Sequence, residues 1–594
     1  MFNCINRWEE DGKLQAVLRM ANKSIIESLR SYIPITQWLP QYKSIFFRWD
    51  LIAGITLASF VLPESMAYAT LAGVPTYFGI YCCLVGGLFF AIFTTSRHVA
   101  VGPTSSISLM IGSTVAVLSG GDLQKWIAVA ELTALVVGCI CIIAFIFRLS
   151  SLVNFISDSI LLGFKAGAAL SIMSTQLPKF FGIEGGGSNF FERLSTLFQH
   201  LPQTNWMVLG FGAAALLLLI VGDKILPGRP VSLVVVIAAI VVVSVTNLSA
   251  QGLHVAGEIP KGLPSIAKPS LRFSDVEGIL ELAFACFLMG YIETISAART
   301  FAIKNDYTIN PRQELLSLGV ANFTAAFCSA YVVSGGLSQS TVNEKSGAKT
   351  PLSLIICSVT LGVILLCLTG LLKNLPEVIL AVIVLHAVSG LIKIKELKHI
   401  YQLSKIEFAV AMIAFAGVLV LGILKGVMLA VAISLILLIR RTAQADVAVL
   451  GRIGNTTHYS DIERHPDNIT HEGIVILRIE SSILYFNAGN IQDKIVKKIE
   501  ESKDGIRLLI LDLSAAPYVD VAGSKMLLQV SNQLQKKGVR LKIVEALSSV
   551  REILRKQGME EVIGRISRRV FINDAVQEFI TGKSNGAVQE VVRG

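Results

Sequence analysis

From about residue 50 to residue 440, apolar runs of spanning length alternate with short polar connections; beyond that the runs shorten and charge rises. About 20 apolar residues cross a bilayer as a helix. This criterion predicts spans over residues 50–70, 77–93, 125–147, 156–177, 206–222 and 231–248. Residues 251–277 lack spanning character and divide the pattern, and apolar runs resume at 279–301, 315–330, 351–371, 375–394, 408–424 and 425–439. Two more elements are short and interrupted. TSRHVAVGPTSSISLMIG, residues 95–112, reads as a β-like stretch, a break at Gly102-Pro103, and a helix from Pro103 to about residue 117, because proline suits a first helical turn. Residues 330–336 form a β-prone run ending in Gly335-Gly336, and 337–343 then read as a helix rich in hydroxyl and amide groups.

Counting both short helices gives about 14 elements, seven per half, with the broken one third in each half. Seven is odd, so the second half runs inverted, and the two short helices meet N-terminus to N-terminus. Broken helices at matching positions of two halves point to a midplane binding site. A helix that starts inside the bilayer presents unpaired N–H groups and a positive dipole end, and an anion is the natural occupant. The alternative is that Gly-Pro and Gly-Gly only kink ordinary spans.

Composition agrees with this pattern. The 594 residues are 53% hydrophobic and 16% charged, with a mean hydropathy of +0.64, against roughly 25% charged residues in soluble domains. The first 30 residues are polar and mixed in charge, without the apolar core of a cleavable signal peptide. The formal charge of +10 fits basic cytoplasmic connections better than nucleic-acid binding. Those connections carry Arg97, Arg148, Lys224 and Arg229, then Arg299, Lys304 and Arg312, Lys345 and Lys349, Lys393 to Lys405, and Arg440-Arg441. They place both termini in the cytoplasm. Eight of the nine cysteines lie in apolar runs, none with metal-ligand spacing, and read as small packing residues.

After residue 446, strands at 473–480, 484–487, 507–513 and 540–544 alternate with helices at 491–502, 523–537, 548–557 and 575–580. That is a small α/β domain. The chain thus divides into a cytoplasmic lead-in, 1–48; a transmembrane domain, 49–441; an α/β domain, 446–585; and a tail, 586–594.

Several motifs carry a family resemblance. They are DLIAGITLASFVLPESMAYATLAGVPT at 50–76, the stretch at 95–112, GEIPKGLP at 257–264, the GGLSQS helix, and DLSAAPYVDVAG at 512–523. With these the chain resembles the sulfate permease (SulP) family, similar to solute carrier family 26, from about residue 48 to 580. The resemblance implies an α-helical polytopic membrane protein. Its parts would be a 7+7 transmembrane inverted repeat with core and gate domains and a cytoplasmic α/β STAS domain. It also implies a homodimer in the plasma or inner membrane, no enzymatic activity, an anion held between the facing half-helices, and elevator-type transport.

The site residues follow from both readings. Thr104, Ser105 and Ser106 in one half-helix, and Ser338, Gln339 and Ser340 in the other, offer N–H groups and hydroxyls to an oxyanion. Many family members have arginine where Gln339 stands, so this site carries less built-in positive charge. Glu64 follows Pro63 in the first span, and Tyr68 lies one turn on, on the same helix face. A carboxylate beside an anion must be protonated or paired; the plainer role is a hydrogen bond to a neighbouring helix. Glu293 in FLMGYIETIS is where proton-coupled relatives carry a carboxylate, and Arg299 and Lys304 are too far along the helix to pair with it. Ionisable residues inside a span are functional by default. Arg97 and His98 anchor their loop, His386 is a helix-packing hydrogen bonder, and Glu281 opens its helix and serves the dipole.

The expected function is cation-coupled symport of an inorganic oxyanion such as sulfate, with Glu293 and Glu64 coupling H⁺. Sodium is left open as the coupling ion, and no cofactor or metal is expected. The alternatives are a bicarbonate or dicarboxylate transporter and, from another class, an anion channel or membrane-anchored STAS sensor. The phosphorylatable serine of soluble STAS relatives is replaced in Asp520-Val521-Ala522-Gly523, so the domain is expected to support the dimer or dock a regulatory protein.

Overall fold

The apolar runs fold into the expected helices. In the computed structural model, residues 32–119, 122–150, 158–187, 189–225, 230–246, 253–255, 257, 260–266, 276–501 and 505–582 are described. The chain divides into two compact units, Met1–Ser434 and Leu435–Gly594.

In the first half, α1 (Ser44–Leu71) and α2 (Thr76–Phe93) precede β1 (Ala100–Gly102) and α3 (Ser105–Ser119). Then come α4 (Leu123–Ile146), α5 (Asp158–Phe181), α6 (Phe190–His200), α7 (Trp206–Ile225) and α8 (Val231–Thr246). The second half repeats the order with α9 (Val276–Lys304), α10 (Pro311–Ala326), β2 (Ser334–Gly336), α11 (Leu337–Lys345) and α12 (Leu352–Cys367). It ends with α13 (Glu377–Ser389), α14 (Ile394–Leu403), α15 (Lys405–Leu421) and α16 (Ile423–Ala443). Among the described residues eight helices are long and apolar enough to cross a membrane.

The helices pack in pairs drawn from the two halves: α10 against α4, α12 against α1, and α15 against α5. Small residues allow this. A Cβ on Gly138 of α4 would lie 2.7 Å from the backbone nitrogen of Phe323 and 3.0 Å from the carbonyl oxygen of Gly319, both on α10. Close backbone approach at small residues is how helices associate where lipid offers no hydrophobic drive.

Several boundaries depart from the sequence reading. The first short helix starts at Ser105, not Pro103, because Gly102 still pairs with Ser334 and the first helical bond runs from the Ser108 N–H to the Thr104 carbonyl, 2.9 Å. The run predicted at 375–394 stops at Ser389, and a separate amphipathic helix, α14, follows. Helix α6 was not expected; Asn189 caps it by accepting from the Glu192 N–H at 2.9 Å. Helix α9 begins at Val276, so Glu281 sits past its first turn rather than opening it.

Two buried acids tie distant loops to helix starts. Glu314, in the first turn of α10, accepts from the Thr94 hydroxyl (2.7 Å), the Thr95 hydroxyl (2.6 Å), and the N–H groups of Thr95 (2.8 Å) and Ser96 (3.2 Å). Asp50, in α1, accepts from the N–H groups of Lys349 (2.6 Å) and Thr350 (3.1 Å), the Thr350 hydroxyl (2.7 Å) and the Tyr42 hydroxyl (3.0 Å). Glu314 therefore fixes the approach to β1, and Asp50 the exit from α11.

The second unit carries a five-stranded sheet of order β4-β3-β5-β6-β7. Its strands are β3 (Val447–Arg452), β4 (Tyr459–Asp461), β5 (Ile474–Ile479), β6 (Leu508–Asp512) and β7 (Arg540–Val544). β5, β6 and β7 are parallel, with Ile474 opposite Leu508 and Leu508 opposite Arg540. The helices are α17 (Ala488–Glu501), α18 (Val521–Lys536), α19 (Ser548–Lys556), α20 (Met559–Ile563) and α21 (Ile572–Thr581). The strand predicted at 484–487 is a turn: the Asn487 side chain accepts from the Leu484 N–H (2.8 Å) and donates to the Ser482 carbonyl (2.9 Å), closing the chain on itself.

Replacing Glu314 with alanine leaves three donors unpaired, the Thr94 and Thr95 hydroxyls and the Thr95 N–H, since the Ser96 N–H keeps the Thr94 hydroxyl oxygen at 2.9 Å. The Glu314→Ala protein should unfold in detergent at a lower temperature, losing about 3 kcal/mol or more, with Glu314→Gln intermediate. A melting temperature equal to wild type would show that the loop is held by other means.

Candidate functional site

The site is built on a crossing of two short strands. β1 and β2 pair antiparallel, with Ala100 opposite Gly336, Val101 opposite Gly335 and Gly102 opposite Ser334. Each strand runs directly into a half-helix, α3 or α11. Because the strands are antiparallel, the two helices leave in opposite directions and both N-termini stay at the crossing. The first-turn N–H groups of each have no acceptor within their own helix, and α11 has no side-chain cap at Gly336.

The surrounding helices brace the crossing. Thr294 of α9 accepts from the Gly335 N–H at 2.8 Å. Asn322 of α10 accepts from the Val333 N–H (2.9 Å) and donates to the Val333 carbonyl (3.0 Å). Residues Cys82–Gly86 of α2 wind as a π-helix, and the Cys82 sulfur accepts from the Tyr331 N–H at 3.3 Å. A π-turn inside an α-helix is often a functional feature. Asn343 donates to the His98 carbonyl at 3.1 Å.

Glu293 projects from α9 to the start of α3. Its Oε1 accepts from the Ser106 hydroxyl at 2.6 Å, and its Oε2 accepts from the hydroxyls of Thr104 (3.0 Å) and Ser334 (3.2 Å). A carboxylate therefore takes the Thr104 and Ser106 hydroxyls at this helix N-terminus, though not that of Ser105, and Ser334 joins the predicted set. Lys304 pairs with Glu344 at 2.9 Å instead of with Glu293.

Glu64, buried in α1 just after Pro63, which lies inside the continuous helix, accepts from the Tyr68 hydroxyl at 3.0 Å through Oε1. Its carboxyl also lies next to Gln339, and Tyr68 reaches Ser105. Gln339 donates through Nε2 to the Pro103 carbonyl at 3.2 Å. Two buried acceptors here, Glu64 Oε2 and Gln339 Oε1, have no hydrogen-bond partner. Buried polar atoms are paired in most proteins, so an orphan needs a reason.

The structure thus brings Glu64, Tyr68, Thr104, Ser105, Ser106, Gln339 and Glu293 together around the crossing. Ser340 lies there too, but its hydroxyl donates to the Gly336 carbonyl (2.6 Å) and accepts from the Ala100 N–H (3.0 Å), so it locks the strand pair. Ser338 is exposed. His98 bridges the Tyr307 hydroxyl (3.2 Å) and the Ala348 carbonyl (3.1 Å), and Arg97 stacks over the Tyr307 ring, as expected of loop anchors. His386 hydrogen-bonds Asp223 at 2.8 Å between α13 and α7. In the second unit, Asp520 caps α18 by accepting from the Gly523 N–H at 2.7 Å, and Ser524 is fully buried, so no serine of this loop is presented for modification.

The profile described as the sulfate permease family matches residues 47–414. The chain belongs to the sulfate permease family. A STAS domain matches residues 465–573. The chain is 30% identical over 570 residues to the chloroplastic sulfate transporter 4.1 of Arabidopsis thaliana, covering 93% of this chain and 83% of that one. It is 28% identical to a probable sulfate transporter of Mycobacterium tuberculosis, covering 91% and 96%. Its fold matches murine solute carrier 26 family member A9, an anion transporter in the inward-facing state, with TM-score 0.86 at 21% identity over 94% and 95% of the chains. The transmembrane domain of the cyanobacterial bicarbonate transporter BicA matches with TM-score 0.58 at 20% identity, covering 66% and 98%. This sulfate permease family member is accordingly an anion transporter, a polytopic membrane protein with a C-terminal STAS domain.

Gly102 sits where the strand meets the site. A Cβ there would lie 2.6 Å from the Cys83 sulfur and 3.2 Å from Gln339 Oε1. Gly102→Val should reduce anion uptake in proteoliposomes by about tenfold or more while the protein still inserts. Cys83→Ala should partly rescue Gly102→Ala. Full activity of Gly102→Val would show that the crossing has room to spare.

Proposed function

We propose that this transporter is a proton-coupled symporter of an inorganic oxyanion, with sulfate as its first substrate, working by elevator-type alternating access. The observation that carries this reading is the position of Glu293. Its carboxylate takes the Thr104, Ser106 and Ser334 hydroxyls beside the positive end of α3, where an oxyanion would bind. An ionised Glu293 therefore competes with the substrate for donors and repels it. A proton on Glu293 removes the charge and weakens its hold on those hydroxyls, so anion and proton bind together.

Glu64 extends the same logic. Its unpartnered Oε2 is a second place for a proton beside the site, and Gln339 offers an amide in place of a fixed cation. Sulfate is favoured because relatives covering nearly the whole chain are named sulfate transporters. Two facing helix ends also suit a divalent anion. The basic connections favour a cytoplasmic STAS domain.

Uptake into proteoliposomes tests the reading. An imposed inward proton gradient should drive saturable sulfate accumulation, and Glu293→Gln should abolish accumulation while keeping sulfate counterflow. Unsaturable anion current would contradict symport, sodium-driven uptake would contradict H⁺ as the coupling ion, and unchanged pH dependence in Glu293→Gln would remove Glu293 from the coupling role.

A further inference from the structure

Among the described residues, Gln339 and the two carboxylates leave the anion site without a cationic side chain of its own, yet α5 carries a lysine inside its span. Lys165 lies six residues into the span Ser159–Phe181, roughly 9 Å from its start by helix rise. Among the described residues it has no hydrogen bond or ion pair. An ionisable residue at this depth is costly unless it is paired or fronts water.

The surroundings of α5 decide between those options. No residue of α5 from Ser159 to Phe180 is exposed, so the helix has no lipid face from which a lysine could reach outward. Lys165 itself is only half-buried. One side of α5 is pressed against α15, where a Cβ on Gly167 would lie 2.7 Å from the Phe415 carbonyl oxygen. Lys165, two residues before Gly167, falls on the opposite side of the helix. Its neighbours at one-turn spacing, Leu161, Ala168 and Ala169, belong to the apolar cluster that also contains Ile107, Met110 and Ile111 of α3.

Helix α5 touches α3, which has no charged residue. The acids on its other neighbours are engaged or stand at helix ends: Asp223 with His386, Glu396 with Lys393, Glu407 with the Ser159 hydroxyl, and Glu377 and Glu192 in the first turns of α13 and α6.

We infer that Lys165 supplies the fixed positive charge on the anion's route to the crossing, from the side of α5 turned away from α15. The inference rests on the transport reading above and adds to it a residue from outside the half-helices. No hydrogen bond or ion pair joins Lys165 to Glu64, Glu293 or Gln339, so it acts as a positioning residue that draws the anion in. Concave, low-dielectric surroundings strengthen such a charge.

Two measurements test it. Lys165→Met should raise the KM for sulfate uptake by about tenfold or more with a smaller change in maximal rate, and Lys165→Arg should stay within about threefold of wild type. In the wild-type chain, amidination of Lys165 by methyl acetimidate, read by peptide mass spectrometry, should slow when sulfate is present. An unchanged KM in Lys165→Met inserted at wild-type levels, or labelling indifferent to sulfate, would overturn the assignment. The labelling is read without uptake. Sulfate protection in a protein that shows no proton-driven uptake would therefore defeat symport and leave Lys165 standing, whereas normal uptake without protection would do the reverse.

Discussion

The whole transport unit depends on a backbone pairing of six residues. Ala100 to Gly102 and Ser334 to Gly336 come from halves of the chain more than 200 residues apart and pair antiparallel within an apolar surround. Backbone without hydrogen bonds is too costly there to persist. The pairing satisfies both breaks at once, because each broken element supplies the other's partners. It also sets the chemistry: antiparallel strands force the half-helices apart in direction and hold their N-termini together. The rest of the unit can be understood as support for this crossing. Thr294 and Asn322 grip β2 and the residue before it, Ser340 spans the two strands, and Glu314 and Asp50 fix the loops on either side.

Electrostatics gives the crossing its conditional character. Two positive helix ends alone would form a simple anion trap. Here Glu293 already takes hydroxyls at one end, and Glu64 stands beside the other with Gln339. Fixed dipoles favour the anion, while the carboxylates oppose it until protonated. In the proposed symport, this balance is what would let a proton gradient do work on the anion. The orphaned oxygens of Glu64 and Gln339 are acceptors that an oxyanion cannot satisfy, whereas a proton on Glu64 turns its Oε2 into a donor. Gly102 keeps these groups close, since any side chain there would intrude on Cys83 and Gln339.

Much of this was legible in the sequence because it depends on local chemistry. Gly102-Pro103 and Gly335-Gly336 mark the breaks in any reading of the spans. Glu64 and Glu293 stand out as acids in apolar runs. The anchors were not legible in the same way: Glu314 looks like an ordinary first-turn acid, and its partners lie some 220 residues away, while those of Asp50, Tyr42 apart, lie 299 and 300 residues away. The hydroxyl of Ser340 looked available for a ligand, but a carbonyl one turn back uses it. Lys165 was hidden because a single lysine barely lowers the hydropathy of a long apolar window. Its meaning appears only once α5 is seen to lack a lipid face.

The central claim is that anion binding at the crossing is linked to protonation of Glu293. The most direct test needs no gradient. In weakly buffered detergent solution, sulfate added to the purified protein should be accompanied by net proton uptake, seen as a rise in bulk pH. The uptake should approach about one proton per bound anion and disappear in Glu293→Gln. Sulfate binding with no proton uptake in the wild-type protein at any pH would contradict the account.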